Sequence, residues 1–190
     1  MTEARPAAAV ATDALGSRLL EHVVDVPDWP QPGVVFKDIA PLLGRPETFA
    51  LTVDALGAAG RDAAGAVVVD RVAGIEARGF ILAAPVALAL GVGFVPVRKA
   101  GKLPRATHAE SYALEYGEAT LELQQDGFAP GDRVLLVDDV LATGGTVRAA
   151  TRLVERAGAT VVGVSVLLEL TALGGRATLG NIPLATVLVV

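Results

Sequence analysis

Cysteine is absent from the 190-residue chain, which excludes disulfides, a thiolate nucleophile and cysteine metal sites and leaves the redox compartment open. The only two histidines, His22 and His108, are too far apart in sequence to show metal-ligand spacing. An excess of positive charge is also missing. The net charge of -5 argues against a partner that is a nucleic-acid backbone, because that role needs a concentrated basic face. The start, "MTEARPAAAVATDALG", carries Glu3 and Asp13 and lacks a basic opening followed by a long apolar core, so it does not read as a secretory signal, and a cytoplasmic location is the default. Residues 79–97 hold no charge, nominally close to a membrane span of about 20 residues. Gly91 and Gly93 divide that run into a helix-length piece and a short "FVPV" strand, so no membrane is expected. No repeat, low-complexity tract or linker interrupts the sequence. It reads as one domain over residues 1–190, with an Ala-rich leader at 1–11 expected to be disordered and dispensable.

What is present is a series of Val-rich runs bounded by Gly, Asp or Pro, at residues 66–69, 93–97, 133–137, 160–168 and 184–190. Helical patterns lie at 47–59, 79–90 and 146–157; in the last, Val147, Ala150, Val154 and Ala157 recur at three- and four-residue steps, giving one apolar stripe. This alternation predicts an α/β fold with a mainly parallel sheet flanked by helices, since parallel strands need long crossovers. Residues 111–123, "SYALEYGEATLEL", alternate with period two on either side of Gly117 and predict an antiparallel hairpin.

The most informative stretch is "RVLLVDDVLATGGT", residues 133–146, where four apolar residues run into Asp138 and Asp139 and a Gly-Gly-Thr follows. In an open α/β sheet, ligands bind beyond the carboxyl ends of the strands. The strand is expected to end at Val137, leaving the two carboxylates to accept hydrogen bonds from sugar hydroxyls. The glycines permit close backbone approach, and a helix starting near Thr146 presents amides and a positive dipole end to a phosphate. Ribose beside phosphate is a ribose phosphate. The alternative is an Asp-Asp turn followed by a Thr-capped helix that binds nothing. The stretch is not a Walker A loop, since no Lys follows the glycines, and "GVGFVP" is not a dinucleotide fingerprint.

"VLLVDDVLATGGT" closely resembles the phosphoribosyl pyrophosphate signature of the type I phosphoribosyltransferases. The resemblance implies that Asp138 and Asp139 hold the ribose 2- and 3-hydroxyls and that Ala142, Thr143, Gly144, Gly145 and Thr146 hold the 5-phosphate. Regulators on this fold share the signature, so it does not by itself settle activity. "VPDWPQPGVVFKDIAPLL", "GIEARGFILAAPVA", "VRKAGKLP", "SYALEYG" and "LLELTALGGR" are similar to adenine phosphoribosyltransferases, a likeness that extends from about Leu15 onward.

The resemblance implies further roles, each beside a plainer reading. Pro27, Pro30, Pro32 and Gly33 fix an extended segment that no helix can occupy. In the family it is a small base-binding hood, so Phe36 would pack on the purine while backbone groups of Val35 and Lys37 read the adenine edge. The plainer reading makes Trp29 and Phe36 core aromatics. Ala77 and Arg78 would meet the pyrophosphate, Arg78 as a clamp with a catalytic part; otherwise Arg78 belongs to an ordinary βα turn. Arg98, Lys99 and Lys102 would contact pyrophosphate, with Lys102 supplied by a second subunit of a homodimer, or are simply solvated cations. The hairpin becomes a flexible lid carrying Tyr112 and Tyr116, and Glu115 the acid or base near the purine imidazole; otherwise Glu115 lies on the exposed face of a hairpin.

The implied reaction moves 5-phosphoribose from phosphoribosyl pyrophosphate to adenine, giving AMP and pyrophosphate. Mg2+ would be bound mainly through substrate oxygens, with no dedicated protein ligands assigned. A transferase for another purine and a non-catalytic sensor of the same ligand are the alternatives. Ala40 stands where the family commonly has Ser or Thr.

Overall fold

The computed structural model describes residues 7–113 and 118–190. The chain divides into two compact units, residues 1–52 and 53–190.

The first unit holds α1 (Ala7–Leu20), β1 (Val24–Pro27), β2 (Val35–Asp38), α2 (Ala40–Leu43) and the start of α3 (Pro46–Gly57). α1 thus begins inside the stretch expected to be dispensable. β1 and β2 pair antiparallel, from Val24 opposite Asp38 to Pro27 opposite Val35. The proline-rich connection between them turns through a cis Trp29–Pro30 peptide, and Asp28 accepts a hydrogen bond from the Gly33 amide at 2.7 Å. Trp29 is not a core residue: it is 51% exposed and meets Phe36 edge-on, with centroids 4.4 Å apart.

The second unit is built on β3 (Arg71–Ile75), α4 (Arg78–Leu90), β4 (Gly93–Lys99), β5 (Thr107–Ala113), β6 (Glu118–Gln124), β7 (Arg133–Leu141), α5 (Gly145–Arg156), β8 (Thr160–Glu169) and β9 (Leu184–Val189). Seven strands form one sheet in the order β5-β6-β4-β3-β7-β8-β9. β4, β3, β7, β8 and β9 run parallel, and the β5–β6 hairpin adds antiparallel to the edge at β4. The fold class is therefore the expected one, an α/β sheet of mostly parallel strands with helical crossovers.

Two expectations are corrected. The run at residues 66–69 is not a strand of this sheet; Val67 makes only an isolated bridge with Arg61, and the strand is Arg71–Ile75. β7 does not stop at Val137 but continues to Leu141, because β8 goes on pairing beside it, Asp138 with Val166 and Val140 with Leu168. The core is apolar on both faces of the central strands, with Val134, Leu135, Leu136 and Val137 fully buried in β7. α5 lays Val147, Ala150, Leu153 and Val154 onto it, which is the expected stripe shifted by Leu153.

Candidate active site

Because β4, β3 and β7 are adjacent and parallel, their carboxyl ends open on one edge, the place where α/β sheets bind ligands. A cavity of about 320 Å³ lies there. Asp138, Asp139, Ala142, Thr143, Gly144, Thr146, Lys99 and Tyr112 all line it, so residues separated by up to 47 positions in the sequence meet around one cavity. Gly145, Ala77, Arg78, Arg98 and Lys102 are not among the lining residues, while Glu76, which no sequence motif marks, is.

The two carboxylates are in-strand and buried, 8% and 5% exposed, not beyond the strand end. Asp138 Oδ1 accepts the Asp139 amide at 2.9 Å. Gly79 near the start of α4 brings the helix up to this strand; a Cβ there would lie 2.7 Å from Asp138 Oδ1. Burial raises the Asp138 proton affinity well above that of an ordinary carboxyl, and the neighbouring Asp139 charge adds to it. Burial also raises Asp139, opposed by Arg78, whose Nη2 lies 2.5 Å from Asp139 Oδ2. That contact is an ion pair whose angles fall outside hydrogen-bond geometry. Arg78 thus neutralises the acidic pair from the first residue of α4.

The loop between β7 and α5 is held from behind. Gly144 has φ +84°, and a Cβ on it would overlap Thr178 Oγ1 and approach Gly175 O at 2.9 Å. A Cβ on Gly175 would in turn overlap the Ala142 carbonyl. The supporting turn, residues 175–179, is tied down by Arg176, which donates to Glu169 at 2.8 and 2.5 Å. The hydrogen bonds from Arg176 lower the Glu169 proton affinity and outweigh its burial, which acts to raise it. The Thr cap of the ligand-free alternative does not form: Gly144 is the N-cap, and Thr146 Oγ1 donates to the Tyr112 hydroxyl at 3.3 Å. Amides at this αL turn and the N-terminus of a twelve-residue helix suit an oxyanion.

On the opposite wall, Glu76 follows β3 and precedes a cis Glu76–Ala77 peptide. Its side chain is 7% exposed and accepts from Arg98 Nε at 3.3 Å, from the Lys99 amide at 3.0 Å and from Lys102 Nζ. Burial would raise the Glu76 proton affinity, yet these donors lower it. Arg98 and Lys102 are therefore not simply solvated, and Lys102 reaches a residue of its own chain. No local pattern could reveal Glu76, because its partners stand 22 to 26 residues further on.

In the first unit, Val35, Phe36 and Lys37 lie on β2, Val35 being 49% exposed and Lys37 Nζ pairing with Asp25 at 2.7 Å. Glu115 and Tyr116 lie outside the described residues.

A buried carboxylate pair and an amide-rich loop line one cavity, with a cation cluster held by Glu76 at its side, an arrangement suited to a phosphorylated sugar. The family model for the phosphoribosyl transferase domain matches residues 61–176. An adenine phosphoribosyltransferase of Nocardioides sp. is 66% identical over 92% of this chain and 94% of its own length. The crystal structure of adenine phosphoribosyltransferase from Rhodothermus marinus is 50% identical, covers 94% of this chain and 99% of that one, and superposes with a TM-score of 0.87. The Saccharomyces cerevisiae enzyme, crystallised with D-2,5-dideoxy-2,5-imino-altritol 1,6-bisphosphate and adenine, is 38% identical, covers 92% of this chain and 99% of its own, and also has a TM-score of 0.87. The chain belongs to the adenine phosphoribosyltransferase family of phosphoribosyltransferases.

Proposed function

We propose that the cavity where β3, β4 and β7 end transfers 5-phosphoribose from phosphoribosyl pyrophosphate to adenine, giving AMP and pyrophosphate, a purine-salvage reaction. The observation that carries this is the meeting of the buried Asp138–Asp139 pair with the Gly144 loop in one pocket. Asp138 and Asp139 take the ribose hydroxyls, which repay their burial by donating to both carboxylates. Ala142, Thr143, Gly144, Gly145 and Thr146 take the 5-phosphate. Ala77, Arg78, Arg98 and Lys99 face the pyrophosphate, joined by Lys102 of the same or of a second subunit, and Val35, Phe36 and Lys37 read the adenine.

Bond breaking runs ahead of attack, since the ring oxygen stabilises a ribosyl cation, and no covalent enzyme nucleophile is needed. The protein aligns the base, holds the sugar and shields the cation from water, the last being the part of a lid bearing Tyr112 and Tyr116. Glu115 handles the proton at the purine imidazole. The hard carboxylate oxygens on the cavity lining fit Mg2+, which would be held mainly by substrate oxygens, with Asp138 and Asp139 reaching it through ribose hydroxyls or water. When bound, Mg2+ supplies charge neutralisation of the pyrophosphate.

The protein acts in the cytoplasm as a homodimer. Among the described residues no helix is long and apolar enough to cross a membrane. The outward side of α4 carries Leu88 and Ile81, 83% and 46% exposed, on a helix whose other side is packed; a second copy covers it.

Pyrophosphate release from phosphoribosyl pyrophosphate and Mg2+, with adenine, hypoxanthine, guanine, xanthine or orotate in separate reactions, tests the reading. Release with adenine alone is expected. Release with another base alone overturns the adenine assignment, and silence in all of them despite ligand binding overturns catalysis.

A further inference from the structure

The cavity wall holds a carboxylate that the reaction above does not use. Glu76 is almost fully enclosed, and its two oxygens take donors from three consecutive parts of the β4 end: the Arg98 guanidinium, the Lys99 amide and the Lys102 ammonium. The Arg98 side chain is further fixed, donating to the Lys102 carbonyl at 3.1 Å and lying 6.0 Å from the Phe80 ring centroid. A guanidinium, an ammonium and a backbone amide converging on paired oxygens is the donor set a phosphoryl group would receive. Glu76 shares the cavity with Lys99 and Asp138.

We propose that Glu76 is a built-in competitor of the leaving pyrophosphate: its carboxylate holds Arg98 and Lys102 in the anion's place, and its charge limits how firmly the departing pyrophosphate is retained. This rests on the reading of Arg98 and Lys102 as pyrophosphate ligands. Two effects oppose each other. Glu76 keeps the cations in position, which favours binding. It also neutralises them and repels a polyanion bound in the same cavity. Repulsion acts on every charge of the anion, whereas positioning restrains only two side chains, so repulsion is the larger. A product held less tightly leaves faster, which matters where release limits turnover.

Glu76→Gln separates the effects. The amide oxygen still accepts the Lys99 N–H, and the charge is gone. Pyrophosphate affinity, measured by calorimetry with Mg2+ present, is expected to rise about tenfold in Glu76→Gln. Product inhibition by pyrophosphate should strengthen in parallel, and affinity for ribose 5-phosphate, which probes the other wall, should stay as it is. Glu76→Asp, which restores the charge, should return pyrophosphate affinity towards the original. Arg98→Ala, tested alongside, should weaken pyrophosphate binding. Arg98→Ala weakening it while Glu76→Gln leaves it unchanged or weaker would overturn the competitor role and keep the ligand reading. Neither variant altering it would overturn both. Thermal melts of each variant confirm that the folded protein is compared.

Discussion

Gly144 and Thr178 approach so closely that a Cβ on the glycine would overlap the threonine hydroxyl. The loop between β7 and α5 is thus shaped by a turn more than thirty residues downstream as well as by its own sequence. Gly144→Ala must both adopt φ +84° and displace Thr178, whereas Gly131→Ala meets a similar φ of +85° with nothing within 4 Å. Gly131→Ala is expected to cost about 1 kcal/mol of stability and leave ribose 5-phosphate binding unchanged. Gly144→Ala is expected to lose about the same stability or more and, in addition, at least roughly tenfold in ribose 5-phosphate affinity. Calorimetric titration of both variants separates loop shape from general strain.

Asp138 is a residue kept against stability. Its raised proton affinity means that the folded protein holds a proton there more firmly than the unfolded chain, so its contribution to stability falls as pH rises above the unfolded carboxyl value of about 3.9. Asp138→Asn keeps an oxygen for the Asp139 amide without the charge. It should melt higher at pH 7, by roughly 2–4 °C for each kcal/mol regained, and bind phosphoribosyl pyrophosphate about 10–100-fold more weakly. A variant that melts lower and binds normally would contradict both halves.

At the opposite edge of the sheet, Asp70 pairs with Arg133, whose Nε and Nη2 donate at 2.9 and 3.0 Å while its amide donates at 2.8 Å. The Arg133 side-chain and backbone hydrogen bonds lower the Asp70 pKa to about 2. A depressed carboxyl stabilises the fold above the unfolded value of about 3.9, and this contribution disappears as pH falls towards 2. Urea midpoints of the parent and Asp70→Asn should differ at pH 5 and converge between pH 4 and 2.

Leu88 is 83% exposed on α4. Placing a charge in the proposed subunit contact, Leu88→Glu, should convert a dimer into monomers, read as a halved mass in light scattering, with little change in the melting of the isolated chain.

The glycine loop before α5 and the acidic pair are legible in the sequence because both sit within fourteen consecutive residues, where local chemistry and spacing carry the signal. The strand that positions the neighbouring loop is not. "AVVV" at 66–69 has more β-branched residues than "RVAGI" at 71–75, yet the latter lies between two parallel partners, and pairing overrides propensity. The end of β7 is hidden for a similar reason: charged side chains suggest an exit, but β8 continues alongside and the strand follows its partner. Glu76 and the Thr178 support were invisible because each acts on residues brought near only by the sheet.

The sheet order has a practical consequence. The connections after β3 and β7 that line the cavity leave one edge of the sheet, and the turns at the other edge, among them the one where the Gly131 amide donates to the Gly158 carbonyl at 2.7 Å, do not line it. That edge is a handle: a tag, a fluorophore or a surface tether attached near residue 131 or 158 would leave the mouth of the cavity open, so the protein could be immobilised there and still turn over substrate.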